Sequence, residues 1–446
     1  MEHSNEEIDK SLAEICMSVL VANDRVTHTV PSGDLYPHQW LWDSCFSAIG
    51  IAHYNPERAK TEITSLLKGQ WHNGMVPHMV FEMGPEHAAD RSAWRSWVSS
   101  KSPDHIATSG ITQPPLLAEA VWRVGHKLSR VERQLFFKKV LPKLFKYHQW
   151  LYSERDPHQE GLTIQINPYE TGFDNTPPWM NQLREHSRPA WIAAVENFKL
   201  DKFINVARRD TRKLPPEQRM KNIDALMLWD SVIRLRRKRY DINKILHHQL
   251  FAIEDVAFNS ILVRNNQIIG DIAKDIRIKV PTKLQDNFDK SKLALESLWD
   301  DTYGVYLSRD FVTNKLLRSP TIASLMPLYA GTIPKERADK LVKVLTNDHA
   351  FWLKYPLPSV PRNIKGFDQN RYWQGPTWVN TNWLIIDGLN RMGYVEVADK
   401  LRDKTIAMVS AEGPWEYFNP HTGQGLGAKN FSWTAALTLD LLNNNS

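Results

Sequence analysis

The sequence has no long hydrophobic run, which argues against a protein that spans a membrane. None of its 446 residues belongs to a stretch approaching the roughly 18 consecutive apolar residues that a transmembrane helix needs. The amino-terminal segment MEHSNEEIDKSL is acidic and polar, and it lacks the basic and apolar regions of a secretory signal. We therefore expect a cytoplasmic protein without a membrane partner.

Cysteine is almost absent. Cys16 and Cys45 are the two cysteines of the chain, and both lie within apolar helical patterns. Such residues are typically buried thiols of a protein from a reducing compartment, whereas a disulfide or a reactive thiol is the weaker interpretation. The cysteine content therefore agrees with a cytoplasmic location.

The motifs of several enzyme classes are also missing. The chain contains no HExxH pair, Walker loop, nucleophile elbow or CxxC motif. His72 and His78 share a loop, but no third ligand lies at helical spacing. The run of Gly423, Gly425 and Gly427 has no preceding strand and the wrong phase for a dinucleotide fingerprint. We therefore expect neither a metal ion nor another cofactor.

Positive charge is concentrated in one segment. The net charge is +6, but the residues from Lys202 to Tyr240 include twelve basic and four acidic ones, a balance of +8 that leaves −2 for the remainder. The run RLRRKRY (234–240) is either a nucleic-acid-binding patch, which would be strongly salt-dependent, or a solvated helix end. The second interpretation is favoured, because basic residues stabilise a helix carboxyl end and the rest of the chain is slightly acidic. We expect no nucleic-acid partner.

What the chain does contain is helical periodicity. Apolar residues recur at spacings of three and four residues over most of the sequence. The predicted helices are Ser4–Ala22, Ser44–His53, a helix from the start signal Asn55-Pro56 to Lys68, Pro114–Leu128, Arg130–Leu151, Pro216–Arg237, Ile242–Val263, Lys290–Leu298, Thr321–Tyr329, Pro334–Leu345, Thr377–Met392, Val395–Val409 and Thr434–Leu442. Strand-like runs are limited to Gly161–Ile166 and Gln267–Ile269.

This pattern predicts an all-α fold, an (α/α)6 toroid barrel with inserted lids. About a dozen helices joined by segments rich in Trp, Pro and Gly suggest paired helices around a central cavity. The absence of a repeat of 30–50 residues argues against a solenoid. Two loops, Trp71–Thr112 and Glu170–Pro215, exceed usual lengths and are typical of lids or binding loops. We expect one domain over 1–446, with a lid loop inserted at 71–112 and a basic lid or cap at 170–240.

Tryptophan is abundant, and many of the 17 residues stand beside Asp, Gln, Asn or Gly. Aromatic rings fill cores, but they also bind the apolar faces of sugar rings while Trp N–H and Tyr O–H groups supply hydrogen bonds. The clustering favours a sugar site. The clusters are Tyr36–Phe46 (YPHQWLWDSCF), Trp71–His78 (WHNGMVPH), Thr108–Pro115 (TSGITQPP), Tyr169–Trp179 (YETGFDNTPPW), Arg371–Trp383 (RYWQGPTWVNTNW) and Trp415–Trp433, which begins WEYFNP.

Carboxyl groups within these clusters suggest glycoside hydrolysis. That reaction needs one protonated carboxyl group that donates to the departing oxygen, and one ionised group that attacks the anomeric carbon or activates a water. An apolar aromatic wall keeps an acid protonated near neutral pH by desolvation. Structural roles remain open as well, because Asp43 precedes an apolar helix as an N-cap would and Asp174 lies in a run typical of a turn.

The motifs resemble those of glycoside hydrolase family 63. YPHQWLWD, WHNGMVPH, SGITQPP, ETGFDNTP, YWQGPTW and WEYFNP, the last followed by SW, occur in the order and spacing of that family. They are most similar to the bacterial and plant subgroup that hydrolyses glucosylglycerate and mannosylglycerate, and they extend from Tyr36 to Trp433. The resemblance implies an (α/α)6 barrel with lid elements and an inverting mechanism.

The resemblance also implies roles for individual residues. Asp174, in ETGFDNTP, matches the general acid, Glu416, in WEYFNP, matches the base, and Asp43 matches a carboxylate that contacts the substrate. His78 and Gln374, in the same motifs, are added as candidate sugar contacts. Further matches to aromatic and polar sugar contacts are Tyr36, Trp40, Trp42, Gln113, Tyr169, Gly172, Tyr372, Trp373, Trp378 and Trp433.

The implied glycerate aglycone carries a carboxylate, which basic side chains of a lid would recognise. Lys202, Arg208 and Arg209 are the candidates. The match to the family fades around these residues, Gln374 replaces an Arg of many relatives, and Tyr169 stands where Trp also occurs. These departures concern the substrate and leave the expected fold and mechanism in place.

The expected activity is therefore that of an inverting α-glycosidase with a small sugar substrate. The best candidates are glucosylglycerate and mannosylglycerate. The alternatives are an α-glucosidase for a neutral sugar such as trehalose or kojibiose, an epimerase or lyase on a similar barrel, and a nucleic-acid-binding protein. The sequence leaves open the choice between glucose and mannose, the aglycone, and the formation of a homo-oligomer.

Overall fold

The computed structural model describes residues 2–187, 189–199, 204, 208–247 and 251–443. Most of them are helical, so the all-α expectation is confirmed. The α-helices are α1 Glu2–Ala22, α2 Leu41–Ile51, α3 Pro56–Leu66, α4 Ala88–Trp94, α5 Leu117–His126, α6 Arg130–Glu154, α7 Pro177–Ser187, α8 Ala190–Asn197, α9 Arg209–Lys213, α10 Asn222–Arg237, α11 Ile242–His247, α12 Val256–Asp275, α13 Thr282–Ala294, α14 Pro327–Ala330, α15 Lys335–Leu345, α16 Val379–Arg391, α17 Val395–Glu412 and α18 Ser432–Asn443. In these residues, no helix has the length and apolarity needed to cross a bilayer.

Six helices contact one another in sequence order. Helix α2 contacts α5, α5 contacts α12, α12 contacts α14, α14 contacts α16, α16 contacts α18, and α18 contacts α2. All eleven residues of α2 are buried, and α5, α12, α16 and α18 are also largely buried, as expected of helices enclosed by others. A second set packs against them: α1 on α18, α3 on α2 and α5, α6 on α5 and α12, and α17 on α16 and α18.

The strands are short and antiparallel, and they join loops near the helix ends. The strands are β1 Gln39–Trp40, β2 Met79–Val80, β3 Ile253–Glu254, β4 Trp299–Asp300, β5 Val305–Tyr306, β6 Arg309–Asp310, β7 Lys315–Leu316, β8 Trp415–Phe418 and β9 Gly425–Lys429. The pairings are β1 with β2, β3 with β6, β6 with β7, β4 with β5 and β8 with β9. Because Gln39 pairs with Val80, the first two aromatic clusters are held side by side.

Local start signals explain several helices. The Asn55 side chain accepts from the Arg58 N–H with Pro56 as the first helical residue, which confirms the predicted start of α3. Ser129 and Glu132 form a reciprocal capping box at α6. Cys16 and Cys45 are free and buried, in agreement with the prediction.

Some sequence-based boundaries are wrong. The predicted helix Ile242–Val263 is divided, because Asp255 caps a new helix by accepting from the Ala257 and Phe258 N–H groups. The predicted strand Gln267–Ile269 lies inside α12, where its apolar residues face the core. Gly161–Ile166 forms no strand and contributes one bridge, from Gln165 to Ile253. Periodicity over so few residues does not separate a strand from a buried helix.

The two segments predicted as lid and cap, 71–112 and 170–240, contain helices that pack together. Helix α4 lies in the first segment and contacts α10 of the second. The Arg236 guanidinium donates to the Ser92 and Ala93 carbonyl groups, and the buried Tyr240 hydroxyl donates to the Trp94 carbonyl. Part of the basic run 234–240 is therefore bound within the protein, where Arg236 and Tyr240 contact the segment of α4.

Candidate active site

A cavity of about 390 Å³ brings most of the predicted site residues together. The predicted residues that line it are Tyr36, Trp40, Trp42, Asp43, His78, Gln113, Tyr169, Gly172, Asp174, Arg208, Arg209, Tyr372, Trp373, Glu416 and Trp433. These residues come from all six motifs and from the basic segment. Further lining residues, which the sequence did not single out, include Asp90, Trp94, Asp210, Arg219, Met220 and Phe431.

Glu416 is presented by the hairpin of β8 and β9. The register of this pair shifts between Trp415 and Tyr417, an irregularity of the kind that re-aims a side chain next to an active site. Gly427 on the facing strand has a φ of +72°, and a Cβ there would lie 2.5 Å from Glu416 Oε2. The glycine is therefore required both by its backbone conformation and by the carboxylate beside it.

Several donors converge on the Glu416 carboxylate, which is only 2% exposed. The Tyr36 hydroxyl donates to Oε1 at 2.8 Å, and the Ala428 N–H donates to Oε2 at 2.9 Å. Arg219 Nη1 lies 3.2 Å from each of the two oxygens. An ionised carboxylate accepts all of these bonds at once, and charge-assisted contacts of this kind hold it in a fixed orientation.

Asp174 is presented by a tight turn. The chain runs through a 3-10 helix, Pro168–Thr171, to Gly172, whose φ of +77° and approach to Trp42 leave no room for a side chain. Asn175 then accepts from the Trp373 N–H at 3.0 Å, which ties the turn to another motif of the site. Turn geometry and a position in the cavity are thus combined in the same segment.

The surroundings of Asp174 favour its protonated form. Burial raises the pKa of this carboxyl group to about 7, and the nearby Glu416 charge acts in the same direction. The Tyr372 hydroxyl, which donates to Oδ2 at 3.2 Å, and the Arg219 charge lower the pKa and partly oppose the burial effect. A substantial fraction of Asp174 is therefore protonated at neutral pH, as a general acid requires.

Asp43 is not an N-cap. Helix α2 is preceded by Trp40 as its cap residue, and Asp43 is the third residue of the helix, buried and lining the cavity. Burial raises the pKa of Asp43 well above its usual range, with Glu416 and Asp174 adding to the effect. The helix therefore begins earlier than the sequence suggested, and the side chain is free of the capping role.

Aromatic rings form much of the cavity wall. Trp42 meets Trp433 edge to face at a centroid distance of 5.6 Å, and Tyr36 meets Trp40 in the same way at 5.8 Å. Among the described residues, the buried indole N–H groups of Trp40 and Trp433 have no hydrogen-bond partner. Unpaired buried donors are costly, so these two are well suited to bind hydroxyl groups of a ligand.

Two predicted sugar contacts lie away from the cavity. Trp378 is completely buried and stacks on Trp373 at 3.7 Å, so it supports that ring from behind. The Gln374 amide donates to the Asn175 carbonyl at 2.9 Å, and the side chain borders a different cavity. Both residues are therefore corrected from ligand contacts to supports of the wall. Lys202 lies outside the described residues.

His78 and Gln113 are held by the protein while they face the cavity. The His78 ring stacks on Tyr169 with an interplanar angle of 13°, and burial lowers the pKa of its imidazole to about 3. His78 is therefore neutral and capable of both donating and accepting hydrogen bonds. The Gln113 side-chain oxygen accepts from the backbone N–H of Trp42 at 3.4 Å, which leaves the side-chain NH2 group for other partners.

A chain of charges crosses one side of the cavity. Arg208 forms a two-point ion pair with Asp210, and Asp210 also accepts from Arg219 Nε at 3.3 Å. Arg219 lines the cavity and contacts Glu416, but the sequence did not single it out. It was counted within the basic segment, but nothing distinguished it there, because its role depends on contacts with Glu416 and Tyr36 that are distant along the chain.

One group of residues has donor atoms close enough for a metal ion. His38, His87 and Asp90 place such atoms within 4.8 Å of one another. However, His38 Nδ1 accepts from the Glu82 N–H at 3.3 Å, so in the neutral ring the proton is on Nε2 and is donated to Asp90 at 3.0 Å. This tautomer suits a hydrogen bond from His38 to Asp90. It suits metal ligation by Nε2 less well, because the other ring nitrogen of a metal-bound histidine usually donates a hydrogen bond, whereas Nδ1 of His38 accepts one.

Comparisons with known proteins agree with the geometry. Residues 36–434 match the model of the mannosylglycerate hydrolase MGH1-like glycoside hydrolase domain. The chain is 36% identical to a mannosylglycerate hydrolase from Thermus thermophilus over 95% of its length and 98% of that protein's. It is 30% identical to a glucosylglycerate hydrolase from Mycolicibacterium hassiacum, over 99% of this chain and the whole of that protein.

A solved structure extends the comparison to the fold. The family 63 mannosylglycerate hydrolase of Thermus thermophilus, crystallised with Tris and D-glycerate, superposes with a TM-score of 0.86 at 34% identity. The match covers 96% of this chain and 99% of the crystallised one. The chain is a glycoside hydrolase, and it belongs to the mannosylglycerate hydrolase MGH1-like branch of glycoside hydrolase family 63.

Proposed function

We propose that this enzyme hydrolyses the α-glycosidic bond between a single sugar and glycerate, with inversion at the anomeric carbon. The observation that carries the proposal is the pairing of two different carboxyl groups in one cavity. Asp174 has a raised pKa and is partly protonated at neutral pH, whereas Glu416 is surrounded by donors that suit an ionised carboxylate. One acid and one base are what inverting hydrolysis needs.

In this mechanism, Asp174 protonates the glycosidic oxygen as its bond to the anomeric carbon breaks. Glu416 removes a proton from a water that attacks the opposite face of that carbon, and the sugar leaves with inverted configuration. A water must fit between base and sugar, so we expect the two carboxyl groups to lie about 6.5–9.5 Å apart. The rings of Trp42, Trp373 and Trp433 provide the wall for the sugar.

The glycerate part of the substrate is assigned from charge. Arg208 and Arg209 line the cavity, and arginine binds a carboxylate through two parallel hydrogen bonds. Two relatives named for hydrolysis of glycerate glycosides, and a related structure crystallised with D-glycerate, support the same aglycone. The sugar is glucose or mannose.

The architecture proposed for this activity is an (α/α)6 toroid formed by residues 1–446. The cyclic contacts of α2, α5, α12, α14, α16 and α18, surrounded by further helices, support it. The segments 71–112 and 170–240 are proposed as lid and cap, since they pack on one another and supply cavity residues such as His78, Arg208 and Arg219. The free, buried Cys16 and Cys45 support a cytoplasmic location.

A release assay tests this function. Glucosylglycerate, mannosylglycerate, trehalose and kojibiose are compared side by side, and the free sugar is followed by proton NMR from the first minutes. We expect release from one or both glycerate glycosides, with the β anomer appearing first. Preferred hydrolysis of trehalose or kojibiose would favour the neutral alternative, and initial release of the α anomer would contradict inversion.

The rate should fall on the alkaline side. Since the Asp174 pKa is about 7 and the protonated form is the active one, kcat/KM should decrease about tenfold per pH unit above this value. Tyr372→Phe removes a hydrogen bond that lowers this pKa, so the decrease should move to higher pH. The α-glycosyl fluoride of the same sugar is the control, since fluoride leaves without a proton. An equal alkaline decrease for the fluoride would assign the pH effect to another group.

A further inference from the structure

We propose that Arg219 blocks the base Glu416 through its hydrogen bonds to the carboxylate, and that binding of a negatively charged aglycone releases it. Discrimination in favour of acidic glycosides would then act on the rate of the chemical step as well as on binding. This inference rests on the proposed function, because it takes the charged aglycone and the role of Glu416 from it.

Protein donors occupy both oxygens of the Glu416 carboxylate. Oε1 accepts from the Tyr36 hydroxyl and from Arg219, and Oε2 accepts from the Ala428 N–H and from Arg219. A carboxylate has about four lone-pair positions, and all four are directed to protein donors here. A base in this state has no site left for the proton of the attacking water.

Arg219 is the donor that is able to leave. The Ala428 N–H belongs to the paired strand β9, and Tyr36 is enclosed by Trp40 and Phe431. Arg219, by contrast, follows the short turn Pro216–Gln218 and precedes α10, so it lies in an irregular connection of the cap. Removal of its bonds would leave Tyr36 and Ala428 to hold the carboxylate and would free one position on each oxygen.

The charged residues around Arg219 indicate where its guanidinium would move when it leaves Glu416. Asp210 accepts from both Arg208 and Arg219, so the two guanidinium groups already share one carboxylate on the cavity wall. A substrate carboxylate that enters beside them brings a second negative charge to this pair. Arg219 would then exchange Glu416 for the substrate, and the stacking of its guanidinium over the Tyr372 ring, at 4.3 Å, would guide the movement.

The reaction that follows is balanced by the groups already described. Water oxygen forms a bond to the anomeric carbon, one water proton moves to the freed Glu416 oxygen, and the bond to the glycerate oxygen breaks as Asp174 supplies a proton. A neutral glycoside would occupy the same sugar position and leave Arg219 on the base. Its turnover would be slow even when the site is saturated.

The first experiment uses the unmodified enzyme. The α-mannosyl and α-glucosyl fluorides have no aglycone, so they fill the sugar position and leave the glycerate position empty. Addition of D-glycerate should increase kcat for the better fluoride by about tenfold, the size of a hydrogen bond to a charged group. Glycerol, which has the same carbon chain without the charge, should have no effect. Inhibition by D-glycerate, or no change at saturating D-glycerate, would overturn the proposal.

The second experiment changes Arg219. In Arg219→Met the base is permanently free, so activation by D-glycerate should disappear and kcat for the fluoride alone should rise to about the glycerate-activated rate. The KM for the glycerate glycoside should rise, because the charged partner is lost, while its kcat should stay close to that of the unmodified enzyme. The ratio of these two rates is the diagnostic quantity. A merely structural role would lower both rates by the same factor, and a role in anion binding alone would raise KM for the acidic substrate without increasing the fluoride rate.

Two further variants complete the design. Arg219→Lys keeps a charge with fewer donors and should retain part of the activation by D-glycerate, even if the methionine variant is unstable. Arg234→Met removes an arginine from the same cap that pairs with Asp230 away from the cavity, and it should behave like the unmodified enzyme. Failure of the proposed function is recognised separately, since the unmodified enzyme would then not release sugar from either glycerate glycoside.

Discussion

Asp174→Asn is expected to lower kcat/KM for the glycerate glycoside by about 10³-fold, within the usual range for loss of a general acid. Asparagine preserves the shape of the side chain and its contact with the Tyr372 hydroxyl, but it has no carboxyl proton to give to the departing oxygen. Most of the loss should therefore appear in kcat. Steady-state rates at pH values below 7, where Asp174 is protonated in the unmodified enzyme, measure the full effect.

A substrate whose leaving group needs no proton distinguishes loss of the general acid from general damage to the active site. An α-glycosyl fluoride needs no protonation, so Asp174→Asn should hydrolyse it at a rate close to that of the unmodified enzyme. Asp255→Asn is the matched control, since Asp255 is also a buried acid whose pKa is raised, to about 6, but it caps α12. That variant should keep its activity toward both substrates. Equal losses with fluoride and glycoside would remove Asp174 from the role of acid.

The sequence predicted the helices well where an end signal and a long apolar stripe coincide. The Asn55-Pro56 start and the stripe of α16 are examples, because both signals depend on neighbours a few residues away. The short helix α4 and the division at Asp255 were missed. These elements depend on packing against distant segments, as α4 does against α10, and such contacts leave no local periodicity.

The site residues that lie within sequence motifs could be predicted from the sequence. Asp174 and Glu416 stand among aromatic residues in the sequence, and they meet in one cavity in the structure. Trp378 has the same local pattern but lies behind Trp373, because the sequence does not tell which side of a stacked pair faces the ligand. Arg219 has no motif at all. Its importance comes from its approach to Glu416, a residue 197 positions away.

Glu416→Gln should reduce turnover of the glycerate glycoside by about 10³-fold or more, because the amide cannot take the proton of the attacking water. The variant also replaces one acceptor oxygen of the side chain by an NH2 donor. The Tyr36 hydroxyl, the Ala428 N–H and Arg219 all donate to this side chain, and an amide offers a single acceptor oxygen and an NH2 group that faces another donor. We therefore expect the variant to lose both reactivity and orientation at the base.

The effect of Glu416→Gln on Arg219 distinguishes a loss of catalysis from a loss of stability. Among the described residues, the carboxylates that pair with the buried Arg219 guanidinium, 4% exposed, are those of Glu416 and Asp210, so loss of the Glu416 charge leaves Asp210. Removal of one member of a buried ion pair typically costs about 3–5 kcal/mol. The thermal midpoint should fall in Glu416→Gln and recover in the double variant Glu416→Gln with Arg219→Met, whereas activity should stay lost in both. A double variant that regained hydrolysis of the glycerate glycoside would show that Glu416 orients Arg219 and is not the base. Recovered stability without recovered turnover would identify the carboxylate itself as the group that activates water.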